Sequence, residues 1–77
     1  MHITHDIFRF IRQNNRLSQR NMATRLGISH SYVSAIEVGA RPVSRRISDK
    51  VVDEFGITQQ YIDIARQFMG ATRRRRR

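Results

Sequence analysis

The side chains of this 77-residue chain that could do chemistry are mostly cations. Lysine and arginine number 15 against 6 aspartates and glutamates, giving a net charge of +9. Five of these cations are the consecutive arginines 73–77, and the preceding 72 residues, with ten basic side chains against six acidic, are basic by themselves. Such a balance suits polyanions, with nucleic acid the commonest partner and an anionic membrane surface the second. Catalytic chemistry finds little support. The histidines, at 2, 5 and 30, lack a metal-ligand spacing with carboxylates, and His2, His5 and Asp6 read as a first-turn surface. No Ser-His-Asp arrangement or phosphate-cradling glycine loop is present, and zero cysteines exclude disulfides and thiolate metal sites. The inventory predicts a binding protein, not an enzyme, with neither cofactor nor metal.

The elements that must position these cations follow from caps and apolar spacing. Thr4 predicts the cap of a first helix reaching about Asn15, with Ile7, Phe8 and Ile11 inward. Asn14-Asn15-Arg16 is a polar connector, and Leu17 precedes a second cap, Ser18. Met22, Ala23 and Leu26 share one face of the next helix, Gly27 ends it through a left-handed φ, and Ser29 caps a third helix carrying Val33 and Ile36. The small Ala23 lets these two short helices cross closely at a steep angle. Residues 38–43 form a loop. Ser44 caps a fourth helix to Phe55, ended by Gly56, with Ile47, Val51, Val52 and Phe55 inward. Thr58 opens a fifth to about Met69, ended by Gly70. Ile57, Tyr61, Ile62, Ile64, Ala65, Phe68 and Met69 give that helix more apolar surface than a small core can cover. Residues 1–70 are expected to be one domain and 71–77 a disordered arginine-rich tail. No run is long enough to span a membrane, and the N-terminus lacks a signal-peptide layout, so a cytoplasmic location is expected.

Arg12, Leu17-Ser18-Gln19, Ala23, Leu26-Gly27-Ile28-Ser29, Val33, Ile36-Glu37, Gly39 and Arg41 stand at an ungapped spacing that resembles the Cro and lambda-repressor type of helix-turn-helix domain. The likeness is strong over residues 17–44 and looser over 7–65. Met22 replaces the usual leucine, and Pro42 precedes Val43 where the family more often sets its proline beside the helix-starting serine. The resemblance implies a compact, all-α, five-helix fold with the helix-turn-helix at helices 2 and 3. It further implies that the helix over 30–37 enters the DNA major groove, presenting His30, Ser31 and Ala35 to base edges with Ser34 on the same surface. None of these is a bidentate reader, so modest direct discrimination is expected. Gln19 and its helix N-terminus would hold a phosphate. Arg20, Arg41, Arg45 and Arg46, beside the helix starts and the loop, are further backbone candidates, as is Tyr32, whereas Arg25 and Arg66 read as solvated charges. By resemblance, Arg12 and Glu37 form an ion pair bridging the first and third helices.

The expected function is that of a sequence-specific transcriptional regulator, most like a small phage or prophage repressor or Cro. It would bind double-stranded DNA as a homodimer paired through Ile62, Ile64, Phe68 and Met69, with the arginine tail adding affinity but no base preference. Alternatives are an antitoxin or restriction–modification controller built on the same domain, or an adaptor turning its basic face to an acidic protein. A protein partner on the fifth helix would fit the antitoxin. A membrane-surface binder needs arginines along one flank of an apolar helix, and Arg66 stands alone there.

Overall fold

Each helix of this chain starts at a hydroxyl. The computed structural model describes residues 2–75, and the side chains of residues 2–70. Among them the regular structure is α1 (His5–Asn14), α2 (Gln19–Leu26), α3 (His30–Glu37), α4 (Arg45–Phe55) and α5 (Gln59–Arg75). Thr4, Ser18, Ser29 and Ser44 cap the first four, each accepting from the amide three residues on at 3.0–3.3 Å, and the Tyr61 amide donates to Thr58 Oγ1 at 3.1 Å. These bonds satisfy amides that the first turn of a helix cannot pair.

The helix ends are of two kinds. Gly27 adopts φ 68°, the left-handed conformation that lets the Ile28 amide turn back to the Ala23 carbonyl at 3.0 Å. At the end of α1 the same left-handed position is filled by Arg16, with φ 57°, the one non-glycine residue of positive φ among the described residues. The Leu17 and Arg16 amides close that turn on the Arg12 and Gln13 carbonyls at 3.1 and 3.0 Å. Gly70, expected to stop the fifth helix, does not: α5 continues through it to Arg75. A side-chain carbon placed on Gly70 would meet nothing within 4 Å, so no close packing at that point turns the chain out of helix. The expected disordered tail, 71–77, has its side chains outside the described residues, and its last two residues lie outside them altogether.

α2 packs across α3 and against α4, while α1 lies on α3 and α5. Their buried stripes merge in one core: Ile7, Phe8 and Ile11 from α1, Met22, Ala23 and Leu26 from α2, Val33 and Ile36 from α3, Ile47 and Val51 from α4, and Ile62 and Ala65 from α5. Ala23, 4% exposed, lies on the buried face of α2. Val52 and Phe55 are only partly buried against the core's edge. Ile3, ahead of the first helix, is fully buried, so the core begins before the first regular element. The core also corrects one expectation. Ile62, expected at a dimer interface, is 1% exposed and faces inward one turn from Ala65. Its neighbours Ile64 and Phe68 remain on the surface at 58% and 63% exposure, and Met69 is half-buried.

Candidate nucleic-acid interface

α3 divides its circumference sharply. With successive residues about 100° apart, Val33 and Ile36 point to the core, and His30, Ser34, Ser31 and Ala35 follow one another over about 140° of the opposite arc. His30 and Ser31, in the first turn, are exposed; Ser34 and Ala35, one turn later, are half-buried. The structure therefore brings the four residues proposed to read bases onto one strip. Tyr32 flanks that strip, half-buried, with the Arg41 guanidinium carbon 5.7 Å from its ring centre. The Ala40 and Arg41 amides donate to the Ala35 carbonyl at 2.9 and 3.2 Å, folding the loop back beside α3. Arg41 is thus held at the edge of the strip by backbone and by stacking on Tyr32.

The other cations sort into two groups. Arg20 in the first turn of α2, and Arg45 and Arg46 in the first turn of α4, are exposed and have no carboxylate partner among the described residues. Neither first turn carries an acid. Cations at a helix N-terminus oppose the macrodipole, so each is placed at a small cost in stability that a bound anion removes. α3 and α4 begin around a shared cleft lined by Gly27, Ser29, Tyr32, Ser44, Arg46 and Lys50. By contrast, Arg25, read as a solvated charge, is engaged: its Nε donates to Glu54 Oε2 at 2.7 Å, and its guanidinium lies 5.0 Å from the Phe55 ring centre. Lys50 Nζ donates to the Leu26 carbonyl at 3.1 Å, satisfying the C-terminal end of α2.

Beneath this surface lies Glu37, 7% exposed, at the end of α3. Arg12 Nε donates to its Oε2 at 2.6 Å and Nη2 to its Oε1 at 3.0 Å, the two-point fit of a guanidinium on a carboxylate. The remaining Arg12 Nη1 donates to the Leu17 carbonyl at 2.8 Å. Gln19 Nε2 also donates to Glu37 Oε1, at 3.1 Å. One carboxylate thereby joins α1, the α1–α2 turn, the first residue of α2 and the end of α3. Sequence reasoning missed the Gln19, Arg25 and Lys50 contacts. Each joins side chains or backbone at least 18 positions apart, and no local periodicity announces such a pairing.

On the side formed by α1 and α5, Phe10 meets Phe68 at 5.8 Å between ring centres, the rings tilted by 52°, and meets Tyr61 edge-on at 6.3 Å. Asn14 Nδ2 donates to the Tyr61 hydroxyl at 2.9 Å. Phe10, Gln13, Asn14, Ile64 and Phe68 line an open groove. No group of three or more His, Asp or Glu among the described residues is placed to hold a metal, and no helix among them is long and apolar enough to cross a membrane.

A family model described as helix-turn-helix matches residues 8–62, from the middle of α1 into α5 and across the whole strip. No curated protein and no solved structure matches the chain.

Proposed function

The chain belongs to the helix-turn-helix family, of the Cro and lambda-repressor type, and from that DNA-binding premise we propose a sequence-specific transcriptional regulator that binds an inverted-repeat operator as a homodimer. The observation that carries this reading is the placement of unpaired charge. Arg20, Arg45 and Arg46 stand at helix starts without acids, next to an exposed strip of small and hydrogen-bonding side chains. A polyanion with readable edges answers both features. The first turns of α2 and α4, with Arg41 beside Tyr32, take phosphates, while His30 and Ser31 reach base edges and Ala35 offers a methyl to a thymine methyl. Gln19 adds a neutral phosphate contact. The arginines 73–77 add affinity for any sequence.

One recognition helix spans too few base pairs to select an operator. Pairing doubles the site and sets two copies of α3 about 34 Å apart, one turn of DNA. Ile64 and Phe68, with Met69 at their edge, are the residues proposed for that contact. The exposed aromatic on α5 also favours a second reading, an antitoxin-like regulator whose α5 face meets another protein.

Selection from a random duplex library near physiological salt tests the proposal, with the full chain compared to a chain ending at Thr72. Enrichment of an inverted repeat by both forms, more weakly by the shorter, is the expected result. Failure of either form to enrich any sequence, with binding lost on truncation, would overturn the operator reading.

A further inference from the structure

The contact between Gln19 and Glu37 gives the buried carboxylate a task beyond neutralising Arg12. We propose that Glu37 is a positioning residue for DNA: it holds the Gln19 side-chain amide so that its second N–H is presented to a backbone phosphate at the start of α2. The inference rests on the DNA-binding reading above.

Gln19 is the first residue of α2, and a glutamine there has several rotatable bonds with which to wander. Glu37 Oε1 removes that freedom by accepting one of the two Nε2 protons at 3.1 Å. The carboxylate cannot itself move, since both its oxygens are occupied by Arg12, whose third nitrogen is anchored on the Leu17 carbonyl. Leu17 immediately precedes the cap Ser18, so the same guanidinium fixes the approach of the backbone into α2. The amide is therefore ordered before DNA arrives, and binding is spared the entropy of ordering it. An anionic acceptor also holds that first N–H more firmly than a neutral one would. Buried at 7% exposure, Glu37 does this without presenting its charge to phosphate.

A neutral contact leaves a particular trace. Replacing an arginine that touches phosphate flattens the dependence of log affinity on log salt by about 0.9, because fewer counterions are released. Gln19→Ala should weaken binding about tenfold, the order of one hydrogen bond to a charged group, at an unchanged salt slope.

The test is a double-mutant cycle with Q19A, E37Q and the pair, read by titration of a labelled duplex carrying the selected inverted repeat, well below each variant's melting temperature. Positioning predicts that E37Q loses about as much affinity as Q19A and that the pair loses little more. Losses that simply add, or an E37Q variant that melts lower but binds as tightly once folded, would overturn it. A second measurement keeps Glu37 intact in case E37Q does not fold. In the unaltered chain the Gln19 side-chain amide proton held by Glu37 should exchange slowly with water even without the duplex, and the second should slow only when the duplex binds. Fast exchange of both protons in the free protein would overturn the inference. Binding of the repeat with an additive cycle sinks the positioning role alone, whereas no binding of any duplex by the unaltered chain sinks it together with the DNA-binding reading.

Discussion

Arg12 makes more of the fold than any other single side chain outside the apolar core. At 13% and 4% side-chain exposure, the Arg12–Glu37 pair is desolvated enough that removing one member strands a charge, at a cost of about 3–5 kcal/mol. Arg12→Met should therefore lower the melting temperature by at least about 12 °C, at roughly 4–8 °C per kcal/mol for a domain of this size. Arg12→Met with Glu37→Met should recover most of that loss, since apolar replacement of a whole buried pair is close to neutral. Thermal unfolding followed by circular dichroism decides, and a double variant no more stable than the single one would refute the account. The surface arginines separate by salt. Arg45→Ala should flatten the salt dependence of DNA binding by about 0.9, while Arg25→Ala, which loses its Glu54 partner and its cover of Phe55, should leave that slope unchanged. Equal slopes for both variants would contradict the grouping of unpaired and engaged cations.

Among the elements, α1 ends at a cost. Arg16 occupies a left-handed conformation at φ 57°, which a side chain disfavours by about 1–2 kcal/mol. Arg16→Gly should stabilise the chain, by about 0.5–1 kcal/mol once the greater freedom of glycine in the unfolded chain is counted, and urea denaturation measures it. Unchanged or lower stability would show the turn to be relaxed. Ala23→Leu should do the opposite, since Ala23 is 4% exposed on the buried face of α2 and overpacking there costs about 1–3 kcal/mol. Such elements were legible in the sequence wherever the cause is local. Hydroxyl caps at Thr4, Ser18, Ser29 and Ser44, the left-handed Gly27, and the stripes of α2 to α4 all declare themselves within one or two turns. The course of α5 was not legible, because its apolar surplus left two faces open to choice. Only the presence of α1 decides that Ile62 turns in, that Ile64 and Phe68 stay out, and that Phe10 finds Tyr61 and Phe68. Ile3 was likewise hidden, being buried by helices that come later in the chain. Arg12 and Glu37 were paired in advance only through the family resemblance, and nothing local pointed to Gln19 as their third member.

At the scale of the molecule, surfaces of opposite character lie on different elements. Unpaired arginines gather at the starts of α2 and α4, while aromatic and aliphatic surface is left open between α1 and α5. Phe68→Glu should abolish the proposed pairing without unfolding the chain, because Phe68 is 63% exposed and lies outside the buried core. Sedimentation equilibrium should then report a monomer in place of a dimer, and affinity for the inverted repeat should fall much more than affinity for half of it. A variant that still sediments as a dimer would place the contact elsewhere. The open groove beside Phe68 also bears on dose. Where two copies must meet before a full site is filled, occupancy at low abundance follows the square of concentration. Halving the protein then quarters the bound sites, so a gene under such control would answer to dilution by cell growth more steeply than the protein itself declines.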